Sequence, residues 1–179
     1  MRVSTDQSLA DAESRTSEEV APEINDFALA IESADGKVSN SWDSFGKFQP
    51  VSVPVGTYLV TASYGDANAE GFDALSYLGS TTVEVGKDET AEASVTCTIN
   101  KARVILSYTD DFKSYFSSYS AYVSSSKGNK ITYATDETRG AYFVPGNLEL
   151  FLEVTRQGVS QKVTLNRKNF TAEGKQGCG

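Results

Sequence analysis

Apolar residues recur at every second position along most of this chain, in short runs set off by turn residues. Phe27, Leu29 and Ile31 alternate with small or polar neighbours, the period of a half-buried strand. Ala34-Asp35-Gly36-Lys37 is a hairpin turn signal, and a return strand starts at Val38. Trp42, Phe45 and Phe48 follow at three-residue spacing, interrupted by Gly46, which reads as a helical turn or an irregular loop with aromatic anchors. Pro50 and Pro54 cannot donate to a ladder, so the approach to the next strand is extended or at an edge. From Tyr58 the alternation is clear. Tyr58, Val60, Ala62 and Tyr64 share one face; Thr57, Leu59, Thr61 and Ser63 share the other. A long loop, DANAEGFDALSYLG, precedes Val83 and Val85, and a polar turn at Gly86-Lys87-Asp88 leads to a strand from Ala91 to Ile99.

At Asn100-Lys101 the phase changes, from Ala93, Val95, Cys97 and Ile99 to Ala102, Val104, Leu106 and Tyr108. A one-residue slip exchanges the faces of a strand, so a bulge, bend or change of sheet is expected there, and with it a boundary between two units. Beyond it, Asp110-Asp111 reads as a helix N-cap, with Phe112, Tyr115 and Phe116 on one face of a short helix. Ser117 to Ser126 reads as a strand, Lys127-Gly128-Asn129 as a turn, and Ile131 and Tyr133 as the return.

The two halves repeat one phrase. PVSVPVGTYLVTASYG, from Pro50, is matched by VPGNLELFLEVTRQG, from Val144; Tyr58, Val60, Ala62 and Tyr64 correspond to Leu148, Leu150, Leu152 and Val154. Val83 and Val85 correspond to Val163 and Leu165, and Gly46-Lys47-Phe48 echoes Gly140-Ala141-Tyr142. The match stops at TAEGKQGCG, which is not a strand, so the second unit lacks its last strand or leaves an edge open. The organisation expected is a disordered acidic leader over 1–22, a first β-sandwich unit over 23–99 and a second over 100–179. A helix around Leu9 to Glu19 would lack an apolar stripe.

Composition narrows the function. Hydrophobic residues make up 39% and charged residues 22%, enough for a packed core. Histidine is absent, which removes His-assisted nucleophiles, His metal sites and His pH switches. A net charge of −8 gives nucleic acid no basic face to bind. From Met1 to Asn25 the acids Asp6, Asp11, Glu13, Glu18, Glu19 and Glu23 outnumber Arg2 and Arg15. No apolar run is long enough to span a bilayer, and MRVSTDQSLADAESR has no apolar signal core.

Candidate chemistry is sparse. Asp66, Asn68 and Glu70 place oxygens at alternate positions before Gly71, as a calcium loop begins, but Tyr77 stands where its closing Glu belongs, and a solvated turn has the same composition. Trp42, Phe45 and Phe48 could stack on sugar rings; the plainer reading is packing at a sandwich end. Asp43, Asp73, Asp110 and Asp111 have no spacing that implies facing acids, and the serine runs lack a G-x-S-x-G elbow. Cys97, in the inward register, reads as a small buried hydrophobe, and Cys178 lies in a Gly-rich tail. No enzyme activity, metal or cofactor is expected. Arg15, in ESRTSEEV, is a trypsin-like processing candidate.

The phrases VPVGTYLVTASYG, GSTTVEVGKDETAEASVTCTINKARVILSY and GAYFVPGNLELFLEV resemble surface lipoproteins of Bacteroidales, of the fimbrillin-like and domain-of-unknown-function class. The resemblance implies an all-β fold of two tandem transthyretin-like (Greek-key) sandwich units, here with a short helix at Asp110–Ser117. It also implies export, a lipid anchor, display on the outer membrane, and trimming after a basic residue near the N-terminus. A neighbouring subunit's strand then fills the groove. The partners implied are other surface or pilus subunits joined by strand addition, and host or glycan ligands. The function expected is a non-enzymatic surface protein of fimbrial-subunit or adhesion type; the alternative is a surface carbohydrate-binding module.

Overall fold

A computed structural model describes residues 2–6, 21–158 and 162–172. The fold is all-β, with one short helix, and divides into two compact units. Described parts of Met1–Gly65 and Ser76–Ile99 form the first; Asp66–Leu75 and described parts of Asn100–Lys175 form the second.

The first unit contains β1 (Arg2–Asp6), β2 (Ala28–Ser33), β3 (Ser39–Trp42), β4 (Gly56–Tyr64), β5 (Tyr77–Val85), β6 (Glu92–Thr96) and β7 (Thr98–Ile99). A five-stranded sheet runs β3-β2-β4-β5-β7, antiparallel throughout, and β1 pairs with β6 in parallel. The alternation read from the sequence sets the core: Leu29, Ile31, Tyr58, Val60, Ala62 and Val85 meet Ala93 and Val95 from β6. Ile31 and Val60 are wholly excluded from solvent, and burying each such side chain stabilises the unit by about 1.5–3 kcal/mol. Tyr58 Oη donates to Pro54 O at 2.8 Å and fixes the proline-flanked entry to β4.

Two expectations for this unit change. Residues 2–6 of the leader form β1; Val3 and Thr5 supply the β-branched alternation a short strand needs. The rest of the expected disordered leader as far as residue 20, including Leu9 to Glu19, lies outside the described residues. The strand expected from Ala91 to Ile99 is broken at Cys97, where the chain passes from the small sheet into the large one. It crosses over Gly79, on the inward face of β5. A Cβ there would press on the Thr96 carbonyl oxygen and lie 2.8 Å from Thr96 C and 3.0 Å from Cys97 Cα. The missing side chain at Gly79 makes the crossing sterically feasible.

The second unit contains β8 (Ala102–Val104), α1 (Asp110–Tyr115), β9 (Phe116–Ser125), β10 (Lys130–Tyr133), β11 (Ala141–Phe143), β12 (Gly146–Arg156) and β13 (Lys162–Ala172). Its larger sheet runs β10-β9-β12-β13, and β11 pairs with β8, all antiparallel. Val123, Tyr133, Ala141, Phe143 and Leu148 form the core. The repeat holds at the centre, since β4 and β12 each lie between two antiparallel neighbours. It fails at Gly46-Lys47-Phe48: Lys47 closes a 3-10 turn, whereas Ala141 opens β11. Prolines 50 and 54 keep the first copy out of a ladder. The helix cap is Thr109, one residue before the expected acids, with its Oγ1 accepting from Phe112 N at 3.3 Å. Asp110 and Asp111 instead place negative charge in the first turn. The helix ends at Tyr115, short of Ser117, because β9 begins at Phe116. Val163 and Leu165 lie in β13, as do Thr171 and Ala172; the rest of TAEGKQGCG lies outside the described residues.

On the outer face of the larger sheet, Tyr122 of β9 stacks on Phe151 of β12 at 4.5 Å, and the Lys130 ammonium sits 3.6 Å from the Tyr122 ring centroid. This cross-strand column ties three strands together.

Candidate functional site

The segment Asp66–Leu75 connects β4 to β5, yet it packs as part of the second unit. Phe72 lies against that unit's core, its ring 5.1 Å from Tyr133 and edge-on to it, with the Arg139 guanidinium 4.9 Å away. Gly71 forms an antiparallel bridge to Tyr142 of β11, with Gly71 N donating to Tyr142 O at 3.0 Å and Tyr142 N to Gly71 O at 2.8 Å. One side of β11 therefore carries β8 and the other carries this bridge.

The oxygens that suggested calcium are taken up by the chain's own donors. Lys101, 4% exposed, donates from Nζ to Ala67 O at 2.7 Å and Ala69 O at 2.5 Å. Lys127 Nζ donates to Asn68 Oδ1 at 3.1 Å, and Asp66 Oδ1 accepts from Asn68 N at 2.7 Å. Glu70 accepts at Oε2 from Ser125 Oγ and Asn129 Nδ2, each at 2.7 Å, and at Oε1 from Val144 N at 3.0 Å. Burial works against the Glu70 charge, but these donors and the Lys127 charge outweigh it and hold the carboxyl below its ordinary range. Burial lowers the Lys101 pKa, opposed by the charges of Asp66 and Glu70. The Lys101 ammonium thus binds two main-chain carbonyls of the loop, while the candidate side-chain oxygens accept from Asn68 N, Lys127, Ser125, Asn129 and Val144 N. Among the described residues, no three His, Cys, Asp or Glu side chains gather as a metal site.

Sequence reading found Asp66, Asn68 and Glu70 but missed Lys101, Ser125 and Asn129. The available signal was a lysine at the phase change, between Ile99 and Ala102.

Trp42, Phe45 and Phe48 come together in the first unit. Trp42 meets Phe48 edge-on at 5.1 Å, Phe45 stacks on Phe48 at 5.9 Å, and all three are half-buried against the core. Asp73 is drawn to Arg139 at 3.5 Å, an exposed pair. Arg15 and Cys178 lie outside the described residues.

Cys97 packs half-buried against the first core with Sγ 3.6 Å from Ala62 O, and burial pushes its thiol up to about 11. Thiolate is the reactive form. Iodoacetamide at pH 7.5 is therefore expected to leave Cys97 unmodified in the folded chain and to modify it in denaturant; mass spectrometry of the Cys97 peptide reads the difference. Equal labelling in both conditions would contradict the burial.

The remaining feature is β1 and its partner. The register runs from Arg2 opposite Glu92 to Asp6 opposite Thr96. Ala93 and Val95, on the paired strand, are core residues. Parallel strands so paired share only main-chain hydrogen bonds and neighbouring side chains, which a different strand can reproduce.

A family model described as Domain of unknown function (DUF4493) matches residues 2–176. No curated protein and no solved structure matches the chain. Among the described residues, no helix is long and apolar enough to cross a membrane.

Proposed function

The chain belongs to the DUF4493 family, and from that membership we propose a non-enzymatic cell-surface protein of fimbrial-subunit or adhesion type, acting by β-strand pairing at open sheet edges. In this reading it is exported, lipid-anchored and displayed on the outer membrane, as a Bacteroidales surface lipoprotein. The partners are other surface subunits.

One observation carries the proposal. Among the described residues β1 pairs with β6 and with no other strand, and Arg15 falls in the sequence between β1 and β2. Cleavage after Arg15 cuts the covalent link between β1 and the sandwich. Loss of β1 bares the main-chain edge of β6, beside Ala93 and Val95. A strand from a neighbour restores the main-chain pairing.

Limited trypsin treatment tests this, with Arg15→Ala as the control. Cleavage after Arg15 is expected to lower the melting temperature of the first unit. A synthetic RVSTD-containing peptide should then raise it again, and the oligomer profile should shift upward. A cleaved protein that keeps its melting temperature and profile and ignores the peptide would sink the proposal.

A further inference from the structure

Among the described residues a second edge in the first unit is open, and its sequence is matched to itself. β4 pairs with β5 along its whole length, from Gly56 opposite Val85 to Tyr64 opposite Tyr77. On the other side β7 covers only Tyr77 and Leu78. Among the described residues, the ladder beyond Gly79 has no partner there. The uncovered stretch is Ser80-Thr81-Thr82-Val83-Glu84-Val85. Edge strands are normally guarded by brevity, lysine, proline or a bulge. β3 is short, and β10 is short and carries exposed Lys130. Ser80–Val85 has no lysine or proline, is mostly β-branched, and bears one charge, Glu84.

We propose that this edge pairs antiparallel with the same edge of a second copy, on a two-fold axis through Thr82. The proposal rests on the strand-pairing reading above and names a surface and partner for it. Ser80, Thr82 and Glu84 are exposed on the outer face; Thr81, Val83 and Val85 point inward. A two-fold through Thr82 sets Ser80 opposite the other copy's Glu84, Thr81 opposite Val83, and Thr82 opposite itself. Every outward residue then faces an outward residue. Glu84 meets a hydroxyl, never another carboxylate, so no like charges oppose each other, and a threonine pair, favourable across antiparallel strands, sits on the axis. A one-residue shift would set outward against inward side chains. Centring on Glu84 would oppose two carboxylates. The contact is isologous and closes on itself, so it yields a dimer with a continuous sheet rather than a fibre.

Sedimentation equilibrium of the full chain across a concentration series tests the axis. The wild type is expected to show a reversible monomer–dimer equilibrium. Thr82→Lys places two ammonium groups face to face and should weaken the dimer by about tenfold or more. Ser80→Lys places an ammonium opposite Glu84 and should leave the dimer intact or tighter. A wild type that stays monomeric throughout, or two variants that shift alike, would overturn the proposal. If Thr82→Lys fails to fold, amide hydrogen exchange on the wild type decides: the Ser80–Glu84 amides should gain protection as concentration rises, and constant exchange overturns the pairing. The trypsin experiment is read separately. Assembly that follows Arg15 cleavage but ignores Thr82→Lys keeps strand pairing at β6 and removes it from β5.

Discussion

Glu70→Ala is expected to destabilise the second unit by about 2–4 kcal/mol, because one carboxylate anchors three segments of it. Its loss leaves Ser125 Oγ, 8% exposed as a residue, and Val144 N without an acceptor, and releases Asn129 from the turn after β9. Each orphaned buried donor costs about 1–3 kcal/mol, tempered here by the partial exposure of the site. Lys101 also loses a nearby negative charge while still donating to Ala67 O and Ala69 O. Glu70→Gln keeps the shape and one acceptor, so it should fall between. The folded Glu70 pKa lies below the ordinary 4.5. Its stabilisation is therefore fully present above that value and is lost as pH falls through the folded pKa. Glu70→Ala should remove that part of the acid dependence. Urea melts at pH 7 and at stepped pH below 5, with hydrogen exchange at Val144 and Tyr142, measure both effects. An unchanged midpoint would contradict the anchoring role.

Gly79→Ala should destabilise the first unit by about 2–4 kcal/mol, near or above the upper end for overpacking. The obstacle is the Thr96–Cys97 main chain, not a flexible side chain, so little can move aside. The displaced crossing would pull β6 from the core and β7 from Tyr77 and Leu78. Gly36 is the comparison: a Cβ there meets nothing within 4 Å, and only its φ of +72° opposes alanine. Gly36→Ala should cost about 1 kcal/mol. Thermal melts of both variants give the contrast, and equal effects would show that the crossing does not depend on Gly79.

Much of this architecture was legible because alternation is local. Leu29 and Ile31 in their alternating run, Tyr58, Val60 and Ala62 on one face of theirs, and Ala93 and Val95 in the inward register are all buried. What alternation does not carry is the identity of distant partners. Whether Arg2–Asp6 is a strand depends on Glu92–Thr96, the distant strand it pairs with. The break at Cys97 depends on a glycine that precedes it in another strand. The loop was visible from Asp66, Asn68 and Glu70, but the lysine that binds its main-chain carbonyls, Lys101, comes from a later stretch of the chain. The cap moved by one residue because Thr, Asp and Asp are all good N-caps, and backbone geometry selects among them.

The loop from Asp66 to Leu75 has a consequence for the order in which the protein is made. It leaves the ribosome well before Lys101, Ser125, Tyr142 and Val144, its partners. The second core therefore closes late, around a piece synthesised inside the sequence of the first, and its contacts span long stretches of chain. A clone starting at Asn100 would encode Lys101 without the carbonyls it binds and Tyr133 without Phe72. The units are interleaved along the chain, and a foldable second unit has to bring residues 66–75 with it.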